Sequence, residues 1–174
     1  MSGRSVPGWV ADLIERHGEI DSLLVPAYID LDESARVVPY PQAVFLGSAD
    51  GFICLTIDED TGQLHLDQCA QTFLPPELIE EPSVQATFVD LTENYLTGGR
   101  WSRITAVSFH LDGDSDPERG LFRGVALEFE AGEGVVLDPF AFSGIRLGTT
   151  PGLSLSLGGL PAAPSPLRYT RTPA

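Results

Sequence analysis

The chain contains no lysine; all ten of its basic residues are arginine. No glycine-rich stretch can therefore end in the Gly-Lys pair of a phosphate-binding loop, and the glycines at 98–99, 132–134 and 158–159 do not fit its spacing either. Histidine is almost as scarce. His17, His65 and His110 stand at no recognisable spacing from a partner aspartate, and there is no Gly-x-Ser-x-Gly, so nucleophilic catalysis finds no foothold. Cys54 and Cys69 are too few for a disulfide framework. No run approaches the ~18 consecutive apolar residues of a membrane span. Asp12 and Glu15 fall where a secretory leader would be apolar, so the expected location is cytoplasmic.

Positive charge is the most unevenly missing property. Between Val37 and Gly99 there is neither arginine nor lysine. Residues 1–99 hold 17 acidic and 3 basic side chains, net −14, whereas residues 100–174 hold 8 and 7, net −1. Such a field repels nucleic acid and anionic membranes, which are bound through arginine and lysine, and it favours encounter with a basic protein surface. The same acidity also serves solubility.

What is present fits a folded chain, with 43% hydrophobic and 20% charged residues. A length of 174 residues suits one domain, expected over 1–150, with a low-complexity, partly flexible tail over 151–174 marked by prolines and the Gly158-Gly159 pair. In that tail Leu153, Leu155 and Leu157 alternate with serines and could add an edge strand, while the last dozen residues are expected to be mobile.

The most readable stretch runs from Trp101 to Leu147. Val107, Phe109 and Leu111 alternate on one face; Val125, Leu127 and Phe129 repeat the pattern, and Val135, Leu137, Ile145 and Leu147 continue it after the Gly132-Glu133-Gly134 turn. This predicts a meander of three or four antiparallel strands. A second hairpin is predicted from Phe52 to Cys69, with Asp58-Glu59-Asp60-Thr61-Gly62 as its turn. Its alternation parallels that of Val125–Asp138, which raises an internal repeat, although any two hairpins share alternation and glycine turns. Strands are also expected at 44–47 and 84–90, and at most a turn or two of helix within the proline-bounded acidic segment 75–82, where Pro76 suits a first helical position. Trp9, Val10, Leu13, Ile14 and His17 recur at helical spacing, with Pro7 before and Gly18 after, predicting a helix from Gly8 to His17. His17 then reads as a basic residue favourable with the helix dipole. From Ile20 to Pro41 the prolines suggest a loop with at most one short strand. The fold class is thus α+β: an antiparallel meandering sheet with two similar hairpins, one N-terminal amphipathic helix packed on it, and a Pro/Gly-rich tail.

Four constellations could carry chemistry. Parity places Cys54, His65, Asp67 and Cys69 on one face of the second hairpin, and these are the ligand types zinc takes, but without a close Cys-x-x-Cys pair. Asp112-Gly113-Asp114-Ser115-Asp116 resembles the opening of an EF-hand calcium loop, yet Pro117 replaces the required glycine and Arg123 the closing glutamate. Asp and Pro are equally what a turn needs. Glu128 and Asp138, on neighbouring strands, could pair for acid/base work, against the plainer reading of solvated strand residues. Trp101, Phe109 and Phe129, with His65 or His110 as the titratable group, could line a pocket between sheet and helix. No cofactor is implied by any of them.

The reading preferred from the sequence is a non-catalytic, cytoplasmic protein-binding domain. Its acidic half would dock on a basic partner through Asp58, Glu59, Asp60, Glu77, Glu80 and Glu81, a profile similar to that of a toxin-neutralising immunity protein. A small enzyme or ligand-binding domain is the alternative, and a structural module that self-associates by an edge strand is another.

Overall fold

The computed structural model describes residues 6–32, 36–96, 101–140, 144–149 and 167–171. In chain order α1 (Gly8–His17) is followed by β1 (Glu19–Ile20), β2 (Ser22–Asp30), β3 (Val37–Pro39), β4 (Ala43–Ser48) and β5 (Gly51–Ile57). Next come β6 (Leu64–Cys69), α2 (Pro76–Glu80), β7 (Val84–Asp90), α3 (Thr92–Tyr95) and β8 (Ser102–His110). The chain closes with β9 (Leu121–Phe122), β10 (Gly124–Phe129), β11 (Gly134–Pro139), β12 (Ile145–Thr149) and β13 (Leu167–Thr170). The result is an α+β fold with an N-terminal helix and two antiparallel sheets, one of them curled into a half-barrel.

Helix α1 has the bounds its apolar spacing predicts, with Val10, Leu13, Ile14 and His17 buried on one stripe. Each such aliphatic side chain contributes about 1.5–3 kcal/mol by leaving water. Pro7 opens the helix, where its missing N–H costs nothing, and Gly18 ends it for a steric reason. A Cβ at Gly18 would lie 2.3 Å from the Ile14 carbonyl oxygen. His17 lies in the last turn on the buried stripe, as its spacing predicts. It is completely buried, with Nδ1 2.8 Å from the Ser48 hydroxyl, so it ties the helix end to the β4–β5 turn.

The predicted meander is the first sheet, in the order β8-β10-β11-β12, with β1 and β13 sharing the outer edge of β8. Val107, Phe109, Val125, Leu127, Phe129, Val135 and Leu137 all enter the core. So does Ile104, although its parity is opposite to that of Val107. A register shift reconciles them: Glu128 faces Ala106 while Phe129 faces Ile104, leaving Thr105 as the extra residue of a bulge. Thr105 Oγ1 donates to the Glu128 carbonyl at 3.1 Å.

The second sheet, with β2, β4, β5, β6 and β9 side by side and β3 and β7 also on β2, corrects the expectation of a single sheet. It supplies the cover for the meander, since Leu23, Val25, Val44, Leu46, Ile53, Leu55, Leu64 and Leu66 join α1 and the first sheet in one core cluster. The stretch expected to be a loop contains β2, a nine-residue strand with Pro26 inside it. Pro26 sits where pairing with β4, through Leu24, gives way to pairing with β3, from Ala27, so its missing N–H interrupts neither ladder. β9, only two residues long, follows a 3₁₀ turn (Pro117–Arg119) and pairs with β6, which carries the chain from one sheet to the other. Gly120, at φ 75°, permits this crossing: a Cβ there would lie 2.7 Å from the Leu66 carbonyl.

The two hairpins belong to different sheets and differ in register. Leu55 faces Leu66, whereas Val125, and not Leu127, faces Leu137. Shared alternation accounts for their likeness. β13 is a further departure: residues 167–170 pair with β8 and Leu167 is buried in the core, where a mobile tail was expected. The leucines at 153, 155 and 157 lie outside the described residues.

Candidate functional site

The described surface carries a groove of about 490 Å³ beside the open end of the β4–β5 hairpin. It is lined by Ala43 and Ile57, at the start of β4 and the end of β5, by Tyr40 and Gln42, and by Phe73, Pro75 and Pro76. Tyr40 N donates to the Pro26 carbonyl at 2.7 Å and Gln42 N to the Tyr40 carbonyl at 2.8 Å. Phe73 is 45% exposed, yet it is fixed by an edge-on contact with Phe45, with ring centroids 5.0 Å apart. Pro75 and Pro76 preset the first turn of α2, which Leu78 anchors by its burial. Glu59, from the β5–β6 loop, and Glu77, from the first turn of α2, complete the rim.

The six acidic residues expected at a partner interface divide into two groups. Asp58 is committed to its own loop, since its Oδ1 accepts from Thr61 N at 2.9 Å and from Thr61 Oγ1 at 2.7 Å. Glu81 does the same for Ser83, accepting from its hydroxyl at 2.7 Å and its amide at 3.2 Å. Those hydrogen bonds hold both carboxyls below their ordinary range. Glu59, Asp60, Glu77 and Glu80 are exposed and, among the described residues, enter no ion pair. Only Glu59 and Glu77 of the six meet in the groove. Tyr40 and Phe73 were not foreseen there, because nothing in a linear pattern links a residue before β4 to one after β6.

The other constellations resolve differently. Cys54, His65, Asp67 and Cys69 do share a face, Cys54 opposite Asp67 and His65 opposite Thr56, but among the described residues no group of three or more converges on a metal position. Cys54 instead packs with Ala43 and Phe45 in a small apolar cluster, with Phe52, Phe88 and Cys69 against it. Burial pushes both thiols up, away from the thiolate that would attack or ligate. The Asp112–Asp116 loop spends its oxygens internally. Asp112 accepts from Asp114 N at 3.0 Å, Ser115 Oγ at 3.0 Å and Gln63 Nε2 at 3.2 Å, and Asp116 caps the 3₁₀ turn.

Glu128 and Asp138 do not form an acid/base pair. Glu128 faces Gly134 at one end of the hairpin and Asp138 lies at the other, about four strand residues or roughly 13 Å away. Each is answered by arginine: Glu128 by Arg168 at 2.9 Å, and the buried Asp138 by Arg123 at 2.7 Å and by Arg146. His110 is half-buried near that cluster, and burial lowers its pKa, Asp138 partly offsetting this and Arg123 adding to it.

The pocket expected between sheet and helix is filled. Leu13, Ile14, Leu46, Phe109, Leu127 and their neighbours leave about 10 Å³ there, the limit for one water. Trp101 is 48% exposed and lies outside that lining, as do His65 and His110.

No helix among the described residues is long and apolar enough to cross a membrane. Set against protein families, characterised proteins and solved structures, the chain matches none of them.

Proposed function

We propose that this chain is a protein-binding domain that docks its acidic side on a basic partner. The observation that carries the reading is the groove of Tyr40, Phe73 and Pro75–Pro76, whose carboxylates Glu59 and Glu77 form no ion pair among the described residues. Interfaces concentrate their energy in aromatic anchors within such pockets, while surrounding charge sets partner choice and on-rate. Phe73 and the exposed Ile79 of α2 supply apolar contact, and Asp60 and Glu80 extend the negative rim. A neutralising, immunity-type role suits such a surface, because carboxylates covering a cationic working face would block it. The location expected for that role is the cytoplasm.

Native mass spectrometry of the protein isolated gently from its own cells tests the reading. The expected result is a stoichiometric complex with a basic protein, whose affinity falls at least about tenfold when ionic strength rises from ~0.05 to ~0.5 M. An uncharged or acidic partner, or affinity indifferent to salt, would overturn it.

A further inference from the structure

We infer that the groove receives an arginine side chain, presented on an exposed loop of the partner. The inference rests on the docking reading and narrows it to one chemistry. Three features of the lining select it. The lining offers flat side chains, the rings of Tyr40 and Phe73 and the pyrrolidines of Pro75 and Pro76, beside the polar Gln42. A guanidinium is planar and stacks on such faces, and it is more weakly hydrated than an ammonium, so entry into a half-apolar groove costs it less. The two carboxylates come from separate elements, the β5–β6 loop and α2, and so stand as independent acceptors for a fork of five N–H donors. Finally, among the described residues no arginine lines the groove, and residues 37 to 99 hold neither arginine nor lysine, so the cation must be supplied from outside this part of the chain. At about 490 Å³ the groove is larger than one side chain needs, which leaves room for the backbone of the loop that brings it.

The test uses capped Gly-Gly-Arg-Gly-Gly, with citrulline and lysine counterparts, titrated into the full chain and followed by NMR. The arginine peptide is expected to give saturable shifts at Tyr40, Phe73, Glu59 and Glu77 in the millimolar range. The neutral citrulline peptide should give none, and the lysine peptide should bind at least about threefold more weakly. Glu59→Gln with Glu77→Gln should weaken binding at least about tenfold. Phe73→Leu, which keeps the apolar contact with Phe45 but removes the ring, should weaken it by a smaller factor. Equal binding of arginine and citrulline, or shifts confined elsewhere on the surface, would overturn the inference. The same variants separate it from the reading beneath it. A basic partner that still binds in a salt-dependent way to the Glu59→Gln, Glu77→Gln variant with unchanged affinity removes the arginine site and leaves docking standing; binding without any salt dependence removes docking itself.

Discussion

The residues that look alike in the acidic half do different work, and hydrogen bonding is what separates them. Asp58 and Glu59 are neighbours in one loop, yet Asp58 accepts two hydrogen bonds from Thr61 while Glu59 turns to the groove. Asp58→Ala should therefore cost about 1 kcal/mol in urea unfolding, and Asp58→Asn, which keeps an acceptor oxygen, noticeably less. The pH dependence follows from the lowered carboxyl. Its contribution is complete above the ordinary aspartate value of 3.8 and is lost as pH falls through the lower folded value, so the gap between wild type and Asp58→Ala should be flat from neutral down to mild acid and close only in strong acid. A gap that closes instead near neutrality would mean another group carries it. Glu59→Gln should leave stability unchanged within about 0.5 kcal/mol.

Among elements, periodicity was legible where burial alternated along the strand or helix, and it failed where burial ran on without alternation. Helix α1 and strands β8 and β10 each bury mainly one stripe or face against the core, so residues such as Leu13 or Leu127 announce the element that carries them. β2 gave no such signal: Val25, Pro26 and Ala27 are buried in succession, and Pro26 sits at the hand-over between β4 and β3, a place no local pattern distinguishes from a loop. Likewise the groove joins Tyr40, Phe73 and Glu77 from three separate segments. Its carboxylates could be listed from the charge pattern, but their shared site depends on how the β5–β6 loop and α2 come together. β13 is the sharpest case, a strand of Leu167 and Tyr169 hidden behind a proline-rich approach. Because Leu167 is only 3% exposed and faces Phe109 across the ladder, Leu167→Ala should cost about 2–5 kcal/mol, read as a lowered unfolding midpoint. A loss under about 0.5 kcal/mol, the behaviour of a surface position, would show that β13 does not belong to the core.

At the scale of the molecule the charge asymmetry acts on folding and on binding with opposite sign. Of the ion pairs among the described residues, those of Arg103, Arg123, Arg146, Arg168 and Arg171 answer Glu15, Glu19, Glu128, Asp112 and Asp138, all outside the stretch 37–99. Among the described residues the carboxylates of that stretch enter no ion pair, Arg119 acting on Asp58 from a distance, and with a net charge of −15 the folded state holds them closer together than the unfolded chain does. Screening should relieve this, so raising salt from ~0.05 to ~0.5 M should raise the thermal midpoint, by about 2–4 °C for each kcal/mol of repulsion removed. The same salt should weaken a basic partner, because there the carboxylates attract. Glu59→Gln with Glu77→Gln should reduce both effects together, stabilising the free protein slightly at low salt while weakening the complex. Differential scanning calorimetry beside a binding titration at matched salt checks the pair of signs. If salt lowered the midpoint instead, the acidic half would be internally compensated, and its carboxylates would have no charge to offer a partner.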